Sequence, residues 1–232
     1  MRKIGLLGGM SWESTLVYYK LINEAVAKEL GGLHSAKILL SSVDFAEIAE
    51  LQARGDWQKS GEILAEEASL LAQAGADVIA ICTNTMHKVA PRVSAQLSIP
   101  LLHIAQASAD KLLAEGVSRV LLLGTKYTMT QDFYREALEQ AGLTVFVPSA
   151  EQMDVVHHII YTELCLGMIQ ASSRKQLQDL IEQMRPQGVQ GVLLACTELG
   201  LLLSPQDVSI PLFDTTVIHA QAIATYALEK KA

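Results

Sequence analysis

The sequence predicts an α/β protein with two similar domains, each built on a parallel central sheet. Short apolar runs such as IGLL, VIAIC, VLLL and GVLLAC alternate with longer stretches of helical pattern, which is typical of parallel strands joined by crossover helices. Two of the helical patterns stop at a glycine, Gly75 and Gly188, a residue that often ends a helix. The third observation is an internal repeat that extends over most of the chain.

The repeat consists of blocks that occur in the same order in both halves of the chain. KIGLLG at 3–8 resembles RVLLLG at 119–124, VYYK at 17–20 resembles FYRE at 133–136, QAGADVIAICT at 73–83 resembles PQGVQGVLLAC at 186–196, and IPLLH at 99–103 resembles IPLFD at 210–214. The shared order indicates a duplicated unit with a pseudo-twofold relation between its copies. We therefore predict two Rossmann-like domains, one formed by 1–104 plus 215–232 and the other by 105–214.

The composition favours a globular protein that binds a small molecule. Of the 232 residues, 50% are hydrophobic and 19% are charged, which is enough for a sizeable core. The net charge of -7, with no run of Lys or Arg, argues against binding to nucleic acid or an anionic membrane. The first apolar run is short and broken by glycines, so we interpret it as a strand rather than a signal peptide. Because no apolar segment is long enough to span a membrane, we predict a cytoplasmic protein.

Ligands of open α/β sheets gather at the carboxyl ends of the strands, so the residues that follow the predicted strands are candidates for a binding site. These are the segments 8–11, 83–85, 124–128 and 196–198. The first segment opens a helix, and its backbone N–H groups suit an anion. It has neither a phosphate-binding Gly-Lys-Ser/Thr nor a dinucleotide fingerprint, so we expect a carboxylate near Met10 and Ser11, with a plain tight turn as the alternative.

The repeat equates Thr83 with Cys196. Each of them lies eight positions after the glycine that ends the preceding helix. Cys82 falls opposite Ala195 instead, and successive side chains of a strand point to opposite faces. We therefore predict that Cys82 packs in the core.

Each of the three cysteines is either a core residue or a chemical group. Three widely spaced cysteines, Cys82, Cys165 and Cys196, fit neither a disulfide framework nor a zinc site. A free cysteine usually behaves as a small buried hydrophobe. The place of Cys196 at a strand end, followed by Thr197 and Glu198, favours a chemical role for this thiol.

Three motifs carry a resemblance to a known family: GLLGGMSWEST at 5–15, CTNTMH at 82–87 and ACTELG at 195–200. The sequence resembles the aspartate/glutamate racemase superfamily, in particular YgeA-like amino-acid racemases, over nearly its whole length. The resemblance implies an isomerase that needs no pyridoxal phosphate, other cofactor or metal, forms a homodimer and binds an amino acid in the cleft between its domains. It also implies two thiols, which take and return the α-proton on opposite faces of the substrate.

The sequence departs from this family pattern at the first thiol, where Thr83 stands in place of cysteine. A Thr hydroxyl is a far weaker base than a thiolate. We therefore expect Cys196 to be the main acid/base and Thr83 to relay a proton on the other face, which makes the enzyme directionally uneven, slow, or restricted to substrates with a more acidic α-proton.

Two further departures concern the substrate side chain. Cys165 stands where aspartate-acting relatives tend to have Lys, and Gln52 stands in a region where they use Arg. Arg and Lys are the natural partners of a distal carboxylate. Their loss makes a neutral or broader range of amino acids plausible beside aspartate and glutamate.

Other polar residues near the strand ends have open assignments. Asn84, Thr85 and Thr197 offer donors for an α-carboxylate or make ordinary loop hydrogen bonds, and Glu198 tunes Cys196, binds an amino group or bonds to backbone. His87 reaches the site or lies on a helix surface. The sequence favours helix packing for Trp12, Tyr18 and Tyr19, and a solvated or interface place for His157 and His158, which lack a third zinc ligand.

The sequence thus predicts a cofactor-independent amino-acid racemase. The same thiol chemistry would serve hydantoin racemisation, an isomerase or a decarboxylase with one thiol. A binding protein on the same scaffold, in which Thr83 has silenced turnover, is the rival from another class, since a fold alone does not fix function.

Overall fold

The computed structural model describes residues 1–229, which form two compact units. The first unit comprises Met1–Ile104 together with the described residues from His219 onward, and the second comprises Ala105–Ile218. The chain therefore returns to the first unit inside its last helix. The sequence-based boundary at 214/215 lies a few residues earlier.

The first unit contains four strands, four complete α-helices and the larger part of a fifth. Its strands are β1 (Ile4–Gly8), β2 (Ile38–Ser42), β3 (Val78–Ile81) and β4 (Leu101–Leu102). Its helices are α1 (Trp12–Leu30), α2 (Phe45–Arg54), α3 (Trp57–Gln73) and α4 (Ala90–Ser94), with a 3-10 helix at Thr85–Val89 and the second part of α11 (Thr215–Leu228).

The second unit repeats this order of elements. Its strands are β5 (Arg119–Gly124), β6 (Thr144–Phe146), β7 (Gly191–Ala195) and β8 (Leu212–Asp214). Its helices are α5 (Ile104–Ala114), α6 (Lys126–Thr130), α7 (Asp132–Gln140), α8 (Ala150–Thr162), α9 (Ala171–Met184) and α10 (Leu199–Leu202), with 3-10 helices at Leu164–Leu166 and Arg185–Gln187.

The two sheets have the same topology. Their strand orders are β2-β1-β3-β4 and β6-β5-β7-β8, and all pairs in both sheets are parallel. The second order follows from the first when each strand is replaced by its counterpart in the repeat. The prediction of an α/β fold with two duplicated parallel sheets is confirmed.

Strand register gives a residue-level match between the two sheets. Leu7 pairs with Ile81 in the first sheet, and its repeat counterpart Leu123 pairs with Leu194 in the second. Thr83 lies two residues beyond Ile81, as Cys196 lies two residues beyond Leu194. The register therefore equates Thr83 with Cys196, independently of the count from the helix-terminal glycines.

Apolar side chains cover both faces of the first sheet, as parallel sheets require. Leu7, Ile79 and Ile81 pack on one side, against α3 and the 3-10 helix. Ile4, Leu6, Val78, Ala80 and Cys82 pack on the other side. Cys82 is 1% exposed, and its burial in this core agrees with the sequence prediction.

The turn between β1 and α1 is closed by local hydrogen bonds. Gly9 has a φ of +88°, and a Cβ there would lie 2.2 Å from the Val43 carbonyl oxygen, so only glycine fits. Ser11 is the N-cap of α1 and its Oγ accepts from the Ser14 N–H. Thr15 Oγ1 accepts from the Gly9 N–H and donates to the Ser11 carbonyl. Two N–H groups of this turn thus already have side-chain partners.

Within residues 1–229, none of the helices is both long enough and apolar enough to cross a membrane.

Candidate active site

The second unit holds a thiol, a hydroxyl and a carboxylate in three consecutive residues. Cys196 follows the last residue of β7 and is only 7% exposed. Its Sγ donates to Glu198 Oε2 over 3.0 Å, and Thr197 Oγ1 donates to the same oxygen over 2.6 Å. Glu198 thus accepts hydrogen bonds from both residues, and the turn after the strand brings the three side chains together.

The surroundings of Cys196 keep its proton in place. Burial raises the pKa of the thiol well above its ordinary value, and the negative charge of Glu198 and its hydrogen bond raise it further. In this state the thiol is a proton donor.

Three rings of the second unit lie close to one another, and one of them, Tyr161, interacts with this thiol. Burial raises the pKa of Tyr161, and the interaction of Tyr161 with Tyr127, Cys196, Cys165 and Glu198 raises it further, so these groups lie near one another. The His157 ring lies 4.6 Å from the Tyr161 ring and 6.1 Å from the Tyr127 ring, measured between centroids.

The prediction of a solvated or interface position agrees with the exposure of His158, whereas His157 is only partly exposed. His157 is partly buried between these rings, and its Nδ1 accepts from the Lys126 N–H over 3.2 Å. Sequence reasoning missed this group of rings, although the spacing of His157 and Tyr161 on one helix would have placed them on one face. Cys165 lies in the following 3-10 helix and is exposed.

In the first unit, Thr83 stands at the place that Cys196 occupies in the second. It follows β3 and is partly buried, and its carbonyl oxygen lies 2.8 Å from His87 Nδ1. Asn84 and Thr85 are buried where the 3-10 helix begins. Thr83, Asn84 and Thr85 are therefore held by a short, compact turn at the carboxyl end of the sheet.

Gln52 and Met10 are both buried in the first unit. Gln52 lies on α2, and its Nε2 donates to the sulfur of Met86 over 3.0 Å. Met10 packs in the same core cluster as Met86. The Gln52 side chain is thus uncharged, and its amide N–H already has a partner within the core.

Two expectations for the first unit are wrong. His87 does not lie on a helix surface, since it is 1% exposed and both its ring nitrogens have backbone partners. Trp12 and Tyr19 do not pack in the core, because they are 62% and 53% exposed, whereas Tyr18 is fully buried. Of these three residues of α1, only Tyr18 faces the sheet.

Two buried histidines and a partly buried one form a cluster in the first unit. The His87 ring lies 4.6 Å from that of His103 and 5.6 Å from that of His219. His219 Nε2 donates to the Leu102 carbonyl, and its Nδ1 accepts from the Tyr18 hydroxyl, both over 2.9 Å. Among residues 1–229, no group of three or more His, Cys, Asp or Glu side chains is arranged to hold a metal ion.

This cluster makes the stability of the chain sensitive to acid. Burial lowers the pKa of His219 from 6.5 to about 4, with a smaller effect of His103. The unfolded chain therefore binds more protons between these two pH values, so stability is complete above about pH 6.5 and falls as the pH drops toward 4. We expect His219 alone to account for a loss of about 3 kcal/mol in the free energy of unfolding over this range.

Urea unfolding at pH 7, 6, 5 and 4 measures this effect. His219→Gln removes the titrating group and should flatten the dependence on pH, even if it lowers stability at pH 7. His34 is exposed, so His34→Gln is the matched control and should follow the wild-type curve. A His219→Gln curve parallel to that of the wild type contradicts the prediction.

Comparison with known proteins identifies the family. The sequence model of the Asp/Glu/Hydantoin racemase family matches residues 7–223. The chain belongs to the Asp/Glu/Hydantoin racemase family. As a member of this racemase family it is an isomerase, and the family accounts for the two parallel sheets and the duplicated topology.

Proteins similar to this chain are known from several organisms. RacX of Bacillus subtilis (strain 168), a broad specificity amino-acid racemase, is 24% identical over 230 residues, with 96% of this chain and 97% of RacX covered. A crystal structure of a candidate Asp/Glu racemase from Yersinia pestis is 53% identical with a TM-score of 0.94, covering 99% of this chain and 100% of that chain. An aspartate racemase homologue from Pyrococcus horikoshii OT3 is 38% identical with a TM-score of 0.88, at the same coverage.

Proposed function

We propose that this racemase acts on free amino acids without a cofactor, with Cys196 and Thr83 serving opposite faces of the α-carbon. The observation that carries the proposal is the register match, which gives Thr83 and Cys196 equivalent places in two duplicated sheets. A planar carbanion has two nearly equivalent faces, and a duplicated scaffold supplies one proton-handling group to each. The hydrogen bond from the Cys196 thiol to Glu198 supports the assignment of the stronger acid/base to the second unit.

The proton steps balance with the groups of the second unit. When Cys196 acts as the acid, its thiol gives a proton to the carbanion and becomes a thiolate. When it acts as the base, Glu198 first takes the thiol proton, and the thiolate then removes the α-proton as its electron pair forms the S–H bond. In the acid direction Glu198 takes a proton from solvent and passes it to the thiolate, and in the base direction it releases the thiol proton to solvent.

Thr83 handles protons differently, because an alkoxide is not accessible near neutral pH. We propose that its hydroxyl works as a relay: it passes its proton to the carbanion while it accepts another from water, or performs the reverse. The remaining predicted binding residues, Met10, Ser11, Asn84, Thr85 and Thr197, would then hold the α-carboxylate and amino group. Because Met10 is buried, its contribution would come from its backbone.

The side-chain preference that we propose is a neutral or broad range of amino acids, which includes but is not limited to aspartate and glutamate. Gln52 and Cys165, the two predicted side-chain contacts, are uncharged, and the amide of Gln52 already bonds to Met86. The aromatic rings near Cys196 add apolar surface. The broad specificity named for RacX agrees with this range. We further propose that the protein is a homodimer in the cytoplasm. Sedimentation velocity would test the dimer, and cell fractionation would test the compartment.

Exchange of the α-hydrogen in D2O tests the function directly. The chain is incubated with L- and D-amino acids, among them Asp, Glu and neutral homologues, and with a hydantoin; 1H NMR follows deuterium uptake and chiral analysis follows inversion. Uptake with inversion of amino acids, unchanged by EDTA or by a carbonyl reagent, supports the proposal. Uptake by the hydantoin alone would replace the proposal with hydantoin racemisation. No uptake despite ligand-induced stabilisation favours a binding protein.

Replacement of Thr83 by Cys tests whether the two faces are uneven. The two enantiomers have equal free energy, so kcat/KM must be equal in both directions, and unevenness appears in kcat and in deuterium uptake before inversion. A thiol is a far better acid/base than a hydroxyl, so Thr83→Cys should raise uptake into the slower enantiomer by about 10-fold or more. Thr83→Ser, which keeps the hydroxyl, is the matched control, and an unchanged ratio of uptake in Thr83→Cys contradicts the idea.

A further inference from the structure

Both ring nitrogens of His87 bind backbone atoms at the carboxyl end of the first sheet. Nδ1 lies 2.8 Å from the Thr83 carbonyl oxygen, and Nε2 lies 3.2 Å from the Ile104 backbone nitrogen. Because a carbonyl only accepts and an amide N–H only donates, Nδ1 must carry the proton and Nε2 must be bare. His87 is therefore fixed as one neutral tautomer.

This arrangement connects the loops that follow two neighbouring strands. The N–H of Cys82 still donates to Leu7 of β1 over 2.9 Å, but Thr83 lies beyond the end of β3. Ile104 follows β4 and begins α5. His87 thus joins the Thr83 carbonyl to the loop after β4, at a point where the sheet ladder has ended.

We propose that His87 is a positioning residue for Thr83: by holding the Thr83 carbonyl, it fixes the backbone that aims the Thr83 hydroxyl. The inference rests on the proposed role of Thr83 as a proton relay. A relay must stand within hydrogen-bond reach of the reacting carbon, and a misplacement of 1 Å can cost about 100-fold in rate. A hydroxyl, the weaker of the two acid/base groups, depends most on such placement.

The duplicated unit provides an internal comparison. The offset of 113 residues that relates Thr83 to Cys196 places Gly200 at the position of His87. A Cβ on Gly200 would lie 2.5 Å from Asp214 Oδ2, so a side chain there would displace Asp214. The same α/β topology therefore forms without a histidine bridge. Cys196 bonds to Glu198 instead, which indicates that the bridge serves Thr83 rather than the fold.

The neighbouring histidines keep His87 neutral, as the required tautomer must be. The His103 ring lies 4.6 Å away and the His219 ring 5.6 Å away. Burial and the proximity of these two rings lower the pKa of His87 well below its ordinary value. His219 donates to Leu102 of β4, so the strand that precedes Ile104 is held as well.

Two substitutions separate the two hydrogen bonds of His87. The amide nitrogen of Asn can take the place of Nδ1 and keep the bond to Thr83, whereas the amide of Gln reaches the place of Nε2 and loses that bond. Deuterium uptake into each enantiomer is compared for wild type, His87→Asn and His87→Gln, with melting temperatures. The enantiomer whose uptake depends on Thr83 is identified with Thr83→Ala.

We expect His87→Gln to reduce uptake into the Thr83-dependent enantiomer by about 100-fold, while uptake into the other enantiomer, which needs Cys196, is retained. His87→Asn should recover most of the lost uptake. Equal losses in both enantiomers, or no recovery in His87→Asn, mean that His87 is merely structural and overturn the inference.

Two further results keep the inference separate from the proposed function. Wild-type uptake that persists unchanged in His87→Gln overturns the inference alone, whereas no uptake in the wild type overturns both. Long-range 1H–15N correlation in the wild type reads the tautomer of His87 without any substitution. A proton on Nε2 instead of Nδ1 would also overturn the inference, even if both variants failed to fold.

Discussion

We expect Cys196→Ser to lower racemisation of the best substrate by about 1,000-fold, since general acid–base groups contribute in this range. Serine keeps the shape of the side chain and can still donate to Glu198, so the variant changes acidity more than structure. Its hydroxyl is a much weaker acid than a thiol and forms no useful base near neutral pH. The measurement is kcat/KM in both directions, together with deuterium uptake into each enantiomer.

The loss should fall on both directions, because every inversion passes through both faces of the substrate. Uptake without inversion on the Thr83 face is the activity that can survive. Cys165→Ser is the matched control, since it makes the same exchange of thiol for hydroxyl at an exposed residue with no proposed proton-transfer role; its kcat should stay close to that of the wild type, and only its KM should respond to the loss of a side-chain contact. Turnover of Cys196→Ser within about 10-fold of the wild type would remove Cys196 from the acid/base role.

The equivalence of Thr83 and Cys196 was predictable because it depends on local rules. A glycine with positive φ ends the helix before each strand, at Gly75 and Gly188, and a strand then advances by a fixed step per residue. Counting from these glycines therefore gives the same answer as the strand register. The burial of Cys82 follows from the alternation of faces along the same strand.

The environment of the histidines could not be predicted in the same way. His87 and His157 each follow a pattern that suits a helix surface, and their burial depends on residues that are distant in the sequence, such as Ile104 for His87 and Tyr127 for His157. Trp12 and Tyr19 show the opposite error: aromatic content suggested packing, but the helix turns only Tyr18 inward. Sequence patterns limit which faces are apolar, and tertiary neighbours decide which are covered.

The contact between Cys196 and Glu198 also depends on local geometry that the sequence leaves open. A Glu two residues after a strand end can cap the following helix, bind a ligand or turn back toward the strand. Here Glu198 is the N-cap of α10 by position, yet its side chain makes no capping bond and instead accepts from Cys196 and Thr197. The choice among these alternatives defines the chemistry of the thiol.

Replacement of Glu198 by Gln should speed alkylation of Cys196 but slow racemisation. The carboxylate charge and its hydrogen bond raise the pKa of Cys196, so its removal should lower that pKa and speed alkylation of Cys196 by iodoacetamide. One pKa unit corresponds to about 10-fold more thiolate at a fixed pH below the pKa. Racemisation should nevertheless slow by about 100-fold, because the amide cannot take the thiol proton.

Alkylation is measured by mass spectrometry from pH 7 to 10 in the Cys165→Ser background, so that the exposed thiol does not interfere. Thr197→Val is the matched control: it removes the hydroxyl that shares Glu198 Oε2 but keeps the charge, and it should alter alkylation far less than Glu198→Gln. A structural disturbance that alters access to the site would instead change alkylation and racemisation in the same direction. If alkylation rises and racemisation does not fall, Glu198 only suppresses the thiolate, and the proton that Cys196 loses must go directly to solvent or to the substrate.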